Sequence, residues 1–597
     1  MIIALCIIGV LSSARLTLQA SAPASPYYVG ATVEYYGVMT GENLTAIANE
    51  NAKNFIKILK TASENDVDII VFPETGLTGD QKYPPEEREK YIPHSSFIPH
   101  PKEGKVPCHD QSTPVMECLK AISCAANRFK MYIAVNIREK EKCTGERCSK
   151  DGINLYNTNV VFDRSGAVVA RYRKYNLFGE SSLNRTAKPE MTTFKTDFDV
   201  TFGLIICFDM LFETPTLRII REQKVRDILF SSHWFSELPF LTSSAIQTAW
   251  SWSNDVNLLA SGYDNPATGS GGSGIYAGKS GVLKRVWPEK RTNALIIAQV
   301  PKVIDGNRGS ITPGSIVIPP NSAVPTINGS EPVPEMKLIS DYLLPYTTKM
   351  FVPVNGTSNV TLCDHGLCCQ FIADTAHNVE LIKEPNVRYY RYRFAVFNGV
   401  RSFSGKGTGG IEVCGLISCT GETVESCSVR FDTNGILVHP TTFNSLSISG
   451  DFKTLPNNLY LPITQNDEIT PLNVTDFSFA MKIINKTHTN LKFNLIKPRS
   501  DLMTFTIYGR NFSADGQPQT MGSGAERVYF FSMMLIILVL IGMSSETLFL
   551  GDPAVIPKDV VMSGIAITYP RTKINGTSRY KSVAKRRLID LGNYITI

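Results

Sequence analysis

Hydrophobic and polar positions in the first half of the chain follow patterns that predict alternating helices and strands. Residues 44–62 place apolar side chains three and four positions apart, a spacing typical of an amphipathic helix. Continuous apolar runs at 67–74 and 201–207 predict strands that are buried on both faces. Further strands are predicted at 131–137, 156–163, 168–174 and 227–232, and a second helix at 241–255. This alternation predicts an α/β domain over residues 27–320.

Beyond residue 320 the pattern changes, because strand-like runs separated by turn residues replace the alternation of helix and strand. Residues 388–399 and 477–484 are examples of such runs. Six cysteines, from Cys363 to Cys427, lie in the same region. We therefore expect a second, mostly β domain over residues 321–515 that is held by disulfide bonds.

Both ends of the chain carry features of an exported protein. Residues 1–22 combine an apolar run with a small-residue cleavage site, as in a signal peptide, although a basic first region is missing; the alternative is a buried N-terminal strand or helix. Residues 528–543 are uncharged and follow a small, polar spacer, which resembles a glycolipid (GPI) attachment signal joined near 513–516. Because the basic tail 544–597 follows, a short membrane span with a cytoplasmic tail and a wrongly joined gene model are the alternatives.

Composition narrows the class of protein. The chain has 597 residues, of which 43% are hydrophobic and 19% charged, so it is globular and long enough for two or more domains. Its formal charge is +6, but the tail 544–597 holds eight Lys or Arg and four Asp or Glu and therefore contributes +4. The rest of the chain is close to neutral, which argues against a nucleic acid partner.

The cysteine pattern indicates an oxidising compartment. Of 13 cysteines, one lies in the leader and Cys207 ends an apolar run, which leaves eleven. Cys143 and Cys148 bracket a short polar loop, and the six in the second half cluster together. Disulfides explain these positions better than a zinc site, because histidines are scarce and the spacings fit metal ligands poorly. The pairing stays open, and since eleven is odd, Cys118 or Cys124 is the expected unpaired thiol.

Acceptor sequences for N-glycosylation also support export. They lie in polar, turn-like stretches, where a glycan can be accommodated. The predicted sites are Asn43, Asn184, Asn328, Asn355, Asn359, Asn473, Asn485 and Asn511, and a ninth acceptor sequence at Asn575 lies in the basic tail. We therefore expect a secreted or surface-anchored glycoprotein.

Three ionisable residues stand at the ends of predicted strands: Glu74, Lys174 and Cys207. If these strands are parallel neighbours, the three side chains emerge at one edge of the sheet. A lysine ammonium lowers the pKa of a nearby thiol, and a carboxylate can take the thiol proton and later activate water. The ammonium and the backbone N–H after Cys207 can stabilise an oxyanion. Taken singly, each residue has an ordinary interpretation: an inert buried thiol, a turn residue, a solvated charge.

The motifs around these residues resemble those of the nitrilase superfamily. They read "VFPETGLTG" (71–79), "YRKYNLFGE" (172–180) and "GLIICFDMLFETP" (203–215), and with "GSGIYAG" (272–278) they are similar to the vanin and biotinidase branch. The resemblance implies an αββα sandwich and hydrolysis of non-peptide carbon–nitrogen bonds without a metal or organic cofactor.

The resemblance also implies a role for each residue. Glu74 would be the general base, Lys174 the proton donor that stabilises the tetrahedral intermediate, and Cys207 the nucleophile that forms a thioester. Glu180 would support Lys174. His233 and Trp234 would line the substrate pocket; alternatively, their segment is a loop that covers core aromatic residues.

The expected substrate is a small-molecule amide. An amidase that releases pantothenate from pantetheine-like amides is favoured, and a biotinidase-like hydrolase of biotin amides is the alternative. From a different class, a catalytically silent ectodomain used for adhesion or binding is the third hypothesis. The presence of all three residues, Glu74, Lys174 and Cys207, argues against the third.

Overall fold

The structure is a computed structural model that describes most of the chain. The described residues are 21–39, 43–79, 83–287, 293–310, 316–318, 336–432, 435–453 and 458–521. All of them belong to one unit, Met1–Glu526. The predicted leader up to residue 20, the segment 528–543, the tail 544–597, Asn328 and Asn575 lie outside the described residues.

The first half of the chain forms two β-sheets and the helices that cover them. Its strands are β1 (Tyr27–Glu34), β2 (Ile69–Val71), β3 (Tyr132–Lys142), β4 (Ile153–Phe162), β5 (Val168–Arg173), β6 (Thr193–Lys195), β7 (Thr201–Ile206), β8 (Asp227–Ser232), β9 (Glu237–Leu238), β10 (Asn257–Gly262), β11 (Ser273–Ala277), β12 (Val282–Val286), β13 (Ala294–Pro301), β14 (Val303–Ile304), β15 (Asn307–Arg308) and β16 (Ile316–Ile318). Its helices are α1 (Leu44–Ser63), α2 (Glu117–Phe129), α3 (Arg218–Arg221) and α4 (Ser243–Asn254). The strands and the two helices predicted in this half are present.

The two sheets of this half face each other. One has the order β16–β13–β1–β2–β3–β4–β5, and the other has the order β12–β11–β10–β8–β7–β6. Strands β1, β2 and β3 are parallel, as are β7, β8 and β10. Side chains from both sheets, such as Val71 of β2 and Ile206 of β7, share one apolar core. These central strands are buried on both faces, which explains why they read as continuous apolar runs.

Helices cover the outer faces of the two sheets. The Asn43 side chain accepts a hydrogen bond from the Ala46 N–H, which caps α1 at its first turn. Together with α2, α1 packs on the seven-stranded sheet, where Phe55 stacks on Phe72 with ring centroids 3.9 Å apart. On the other side, α4 packs through Trp250 on the six-stranded sheet. The layers are helix, sheet, sheet and helix, so the predicted αββα sandwich is confirmed.

The second half is a β-sandwich. Its strands are β17 (Ile339–Ser340), β18 (Thr347–Met350), β19 (Gly356–Asp364), β20 (Leu367–His377), β21 (Val387–Arg388), β22 (Arg391–Ser402), β23 (Thr408–Cys419), β24 (Ile436–Leu437), β25 (Thr441–Lys453), β26 (Leu459–Asn466), β27 (Phe477–Ile483), β28 (His488–Leu495) and β29 (Leu502–Asn511). Two five-stranded sheets have the orders β18–β22–β23–β29–β26 and β19–β20–β25–β28–β27. Aromatic side chains fill the space between them, and Phe493 stacks on Phe505 with centroids 3.9 Å apart. The mostly β second half is confirmed, whereas the domain limits 27–320 and 321–515 stay predictions.

Disulfide bonds are concentrated in this second half. The pairs are Cys108–Cys124, Cys143–Cys148, Cys363–Cys368, Cys369–Cys414 and Cys419–Cys427. The pair Cys369–Cys414 links β20 to β23 and thereby joins the two sheets of the sandwich. Among the described residues, Cys118 and Cys207 are free thiols. Of the two candidates for the unpaired cysteine, Cys118 is therefore the free one.

Candidate active site

The three residues predicted at strand ends meet between the two sheets of the first half. Glu74 follows β2 and Lys174 follows β5 in the seven-stranded sheet, whereas Cys207 follows β7 in the six-stranded sheet. The expectation that their strands are neighbours in one sheet is wrong, since β3 and β4 lie between β2 and β5. The side chains converge because the two sheets are stacked face to face.

Lys174 is the centre of a buried charge network. Its Nζ donates hydrogen bonds to Oε1 of Glu74 at 2.7 Å and to Oε2 of Glu180 at 2.8 Å. Lys174 is 2% exposed and Glu74 is 3% exposed. Buried charges require such pairing, because a lone charge in the interior is strongly destabilising. Glu180 lies where a supporting carboxylate would orient the ammonium.

Asn157, on β4, belongs to the same network, although the sequence analysis does not single it out. Its Nδ2 donates to Oε1 of Glu74 at 2.7 Å and to Oε1 of Glu180 at 2.5 Å. Its Oδ1 accepts from Nδ2 of Asn136 at 2.7 Å, and Oδ1 of Asn136 accepts from the Thr75 N–H at 3.0 Å. The signal in the sequence that could have found Asn157 is an amide side chain inside a buried strand. A buried amide requires hydrogen-bond partners, which points to a polar network around it.

Cys207 occupies the turn between β7 and a short 3₁₀ helix, Cys207–Leu211. Its φ of 45° lies in the left-handed region, which residues with a β-carbon rarely adopt. Its Sγ lies 3.5 Å from the carbonyl oxygen of His233. The N–H of His233 donates to Oε2 of Glu74 at 2.9 Å. The His233 backbone therefore lies between the thiol and the carboxylate and holds both.

Asp209, two residues after the nucleophile position, anchors this turn. Its Oδ2 accepts from the Tyr172 hydroxyl at 2.7 Å and from the Ile206 N–H at 3.1 Å. Its Oδ1 accepts from the backbone N–H and from Nδ2 of Asn176, both at 2.9 Å. Since Tyr172 and Asn176 flank Lys174, Asp209 ties the segment with the ammonium to the turn with the thiol. Burial raises the pKa of Asp209 to about 6.

Burial and charge determine the protonation states of the three groups. Burial opposes the ionisation of Glu74, but the charge and hydrogen bond of Lys174 hold the pKa of this carboxyl below its ordinary value. Burial also disfavours the charge on Lys174, but Glu180 and Glu74 raise its pKa well above the ordinary value. Burial, followed by the Glu74 charge, raises the pKa of Cys207 well above its ordinary value, and Lys174 only partly opposes this. Burial and Glu74 together outweigh the lowering of the thiol pKa by Lys174, so the site pairs a thiol with a carboxylate that can take its proton.

A pocket opens at Cys207. Its wall is mostly aromatic: Phe178, Phe208, Trp234 and Phe235 come from the first half, and Phe403 comes from the second half together with Ser404. Trp234 is fixed by a hydrogen bond of 2.8 Å from its Nε1 to the carbonyl oxygen of Leu241. The His233 ring lies outside this wall, between Phe235 and Tyr263, with centroids 4.8 and 4.5 Å away.

The second half also contacts the turn that carries Cys207. The Arg510 side chain, on β29, is fully buried, and its Nε donates to the carbonyl oxygen of Leu211 at 2.9 Å. Its Nη2 pairs with Asp515 at 2.8 Å. Leu211 ends the 3₁₀ helix that begins at Cys207, so an ion pair of the second half supports the turn that carries the thiol.

The predicted glycosylation sites differ in their surroundings. Those at exposed positions are Asn43, Asn355, Asn359, Asn473 and Asn485, and Asn511 is half-buried. Asn184 is also half-buried, and its Oδ1 accepts from the Leu155 N–H at 2.8 Å and from Nη2 of Arg88 at 2.9 Å. Its Nδ2 donates to Oγ of Ser149 at 3.1 Å. A glycan on Asn184 would compete with this bond, whereas the exposed sites leave room for one.

Comparison with known proteins identifies both halves of the chain. The model of the carbon–nitrogen hydrolase family matches residues 40–265, and the model of the vanin C-terminal domain matches residues 336–515. Vanin-like protein 3 of Drosophila melanogaster is 35% identical over 511 residues, which cover 83% of this chain and 92% of that protein. Biotinidase and pantetheinase of Homo sapiens are 29% and 27% identical, and each alignment covers 82% of this chain and 90% of the relative.

These similarities extend over both sandwiches and include the motifs that supply Glu74, Lys174 and Cys207. They confirm the resemblance recognised in the sequence. The chain belongs to the vanin-like branch of the carbon–nitrogen hydrolases, enzymes of the nitrilase superfamily that hydrolyse amide bonds other than peptide bonds.

Proposed function

We propose that this protein is an extracellular amidase that hydrolyses pantetheine-like amides to pantothenate and an amine. The observation that carries the proposal is the meeting of Glu74, Lys174 and Cys207, with Cys207 also in the wall of an apolar pocket. The relative named pantetheinase, which aligns with most of this chain, supports the choice of acyl group.

The first half-reaction forms a thioester. Glu74 takes the proton of Cys207 as Sγ attacks the amide carbonyl carbon, and the carbonyl oxygen becomes an oxyanion. The Lys174 ammonium and the backbone N–H after Cys207 stabilise this oxyanion, a contribution that is commonly the largest in such reactions. The carbon–nitrogen bond then breaks, and Glu74 returns its proton to the departing amine, which leaves the acyl group on Sγ.

The second half-reaction hydrolyses the thioester. Glu74, again a carboxylate, removes a proton from water as the water oxygen attacks the thioester carbonyl carbon. The carbon–sulfur bond breaks, the proton returns to Sγ and the acid is released. Throughout the cycle Glu180 and Asn157 keep Lys174 and Glu74 in place, because each donates to or accepts from this pair.

Two amides that share one chromogenic amine test this function. The purified protein is given the pantothenoyl amide and the biotinyl amide of 4-nitroaniline, with Cys207→Ala as the matched control. We expect a higher kcat/KM for the pantothenoyl amide. A higher kcat/KM for the biotinyl amide would instead support the biotinidase-like alternative, for which the relative named biotinidase is the precedent. Turnover of neither amide, in a folded protein, would favour the silent ectodomain.

Disulfides support the extracellular location. Five disulfides within the described residues require an oxidising compartment. In the same part of the chain, no helix has both the length and the apolar character that crossing a membrane requires.

Contacts near the end of the described chain bear on the predicted attachment point at 513–516. The Thr520 N–H donates to the carbonyl oxygen of Val400, and the Val400 N–H donates to Oγ1 of Thr520, at 2.8 and 2.9 Å. Cleavage at 513–516 would remove Thr520 from β22, so we place the glycolipid attachment C-terminal to Thr520. Treatment of intact cells with phosphatidylinositol-specific phospholipase C should release enzyme that still contains Thr520. Retention on the membrane together with the tail 544–597 would contradict the glycolipid.

A further inference from the structure

The hairpin turn between β22 and β23, residues 403–407, lies directly on the segments that carry the catalytic groups. The Phe403 side chain is 3% exposed, and its ring packs edge-to-face on Phe208, the residue after Cys207, with centroids 5.4 Å apart. At the other end of the turn, Lys406 approaches Gly179 so closely that a β-carbon there would lie 2.8 Å from its Cδ. The turn thus contacts the neighbours in sequence of both the thiol and Glu180.

The turn is held in place by hydrogen bonds within it and by ion pairs of a residue that precedes it. The Phe403 N–H donates to the carbonyl oxygen of Gly407 at 2.8 Å, and the Gly405 N–H donates to Oγ of Ser402 at 3.0 Å. Two residues before Phe403, the buried Arg401 forms ion pairs with Glu237 and with Asp341, the latter at 3.1 Å. Because Glu237 itself lines the pocket, this ion pair fixes the hairpin of the second half to the pocket of the first half.

The position of the pocket identifies which part of the substrate it receives. After the amine leaves, the acyl group stays bonded to Sγ until water releases it. We assign this pocket, which contains Sγ and has Phe403 and Ser404 in its wall, to the acyl group.

We propose that the turn 403–407 determines acyl specificity, and that it selects acyl groups with a branched, uncharged body. This inference rests on the proposed amidase function and names the part of the second half that selects its substrate. The wall offers aromatic surface, on which a branched hydrocarbon group buries well. Glu237 in this wall and Asp341 share the guanidinium of Arg401, so the cluster has no net positive charge that would attract an acyl group with a distal negative charge.

The inference is tested with two amides of 4-nitroaniline that differ only in the acyl group, pantothenoyl and acetyl. The measured quantity is the ratio of their kcat/KM values, because a change that only weakens folding lowers both values together. In Phe403→Ala, we expect this ratio to fall at least tenfold, mainly through the KM of the pantothenoyl amide. A tenfold change is at the lower end of what the fit of small apolar groups contributes to specificity.

A second variant covers the case in which Phe403→Ala fails to fold. Ser404 has a φ of 50°, and asparagine tolerates this conformation, so Ser404→Asn adds an amide to the pocket without backbone strain. We expect the same direction of change in the ratio, by about threefold to tenfold. The matched control is His365→Asn, since His365 also has a positive φ, of 42°, in the exposed β19–β20 turn away from the pocket.

The outcomes separate this inference from the proposed function. If the wild-type enzyme cleaves both amides but neither Phe403→Ala nor Ser404→Asn changes the ratio more than His365→Asn does, the turn does not determine specificity. If the wild-type enzyme cleaves neither amide, the amidase function itself fails. A ratio that changes in Ser404→Asn but not in His365→Asn supports the inference even when Phe403→Ala cannot be purified.

Discussion

The two free thiols of the described residues lie in different regions of the first half and differ in chemistry, although both are buried. Cys118, on helix α2, is 1% exposed, and Cys207, in the turn after β7, is 5% exposed. Burial raises the pKa of Cys118 to about 12, and it also raises the pKa of Cys207 well above its ordinary value. Neither exposure nor a low thiol pKa therefore distinguishes Cys207, the proposed nucleophile, from Cys118.

What differs is the surroundings of each sulfur. Cys118 packs in the apolar cluster beneath α1 and α2, with neighbours such as Leu119 and Ile122. Cys207 lies in a left-handed turn beside a carboxylate, an ammonium and a pocket. The comparison indicates that a reactive thiol in this fold is defined by a base within reach and by room for a substrate. Variants of both cysteines and of the groups around Cys207 test this comparison.

Replacing each cysteine by alanine tests the difference between Cys207 and Cys118 directly. Cys207→Ala should abolish amide hydrolysis, because no thioester can form, whereas Cys118→Ala should keep kcat/KM within about twofold and lose about 1 kcal/mol of unfolding free energy. Initial rates and thermal unfolding of both variants measure this. Residual activity in pure Cys207→Ala above one tenth of wild type would mean that another group is the nucleophile.

Glu74→Gln should separate hydrolysis from thiol reactivity. The variant loses the base, so kcat should fall by about 10²–10⁴. It also loses the negative charge that raises the pKa of Cys207, so the thiolate should form at lower pH. We expect faster modification of Cys207 by methyl methanethiosulfonate at pH 7, with Cys118 unmodified in the same protein, as located by peptide mass mapping. Slower modification would contradict the assignment of Glu74 as the charge that keeps Cys207 protonated.

Lys174→Met should change thiol reactivity in the opposite direction. Removing one oxyanion donor lowers kcat by about 10²–10³. Removing the ammonium also removes the charge that lowers the pKa of Cys207, so its reaction with methyl methanethiosulfonate should slow. Lys195→Met is the control, because Lys195 is an exposed lysine paired with Asp199. If Lys174→Met reacts and turns over like this control, the ammonium has no part in catalysis.

Asp209→Asn should change how stability depends on pH. Burial raises the pKa of Asp209 to about 6 in the folded protein, from an ordinary value of 3.8, so the folded state binds this proton more tightly than the unfolded chain does. Its contribution to stability is complete below pH 3.8 and is lost as pH rises through about 6.

The measurement is the free energy of unfolding by denaturant between pH 4 and pH 7. We expect wild type to lose about 2 kcal/mol more than Asp209→Asn over this range. Asp199→Asn is the control, since Asp199 is a surface carboxylate whose pKa is lowered by Lys195. Parallel pH profiles for wild type and Asp209→Asn would show that the pKa of Asp209 is not raised.

The αββα sandwich and the positions of the catalytic groups could be predicted because they depend on local pattern. The apolar runs that end at Glu74, Lys174 and Cys207 can be recognised in the sequence, and so can the order of the motifs. The sheet to which each strand belongs could not be predicted, since the pairing of β1 with β13 and the stacking of the two sheets depend on contacts distant in sequence. For the same reason Asn157, Asp209 and Phe403 are not found from sequence: each acts through a partner that only the fold brings near.

The protonation of the thiol illustrates a second limit. Sequence places an ammonium near Cys207 and so suggests a thiolate, but the balance depends on burial and on the approach of Glu74. These are properties of packing. Burial and the approach of Glu74 decide whether the pKa of Cys207 is raised or lowered, and the spacing of the motifs does not reveal either of them.

The ion pair of Arg510 has a mechanical consequence. The chain runs from β29 through Asp515 to Thr520, and Arg510 bonds both Asp515 and the carbonyl oxygen of Leu211. A pull on the chain beyond Thr520 is first borne by the hydrogen bonds to Val400 and then by the Asp515–Arg510 pair. A chain tethered beyond Thr520 would thus transmit tension through Asp515 and Arg510 to Leu211, in the helix that begins at Cys207.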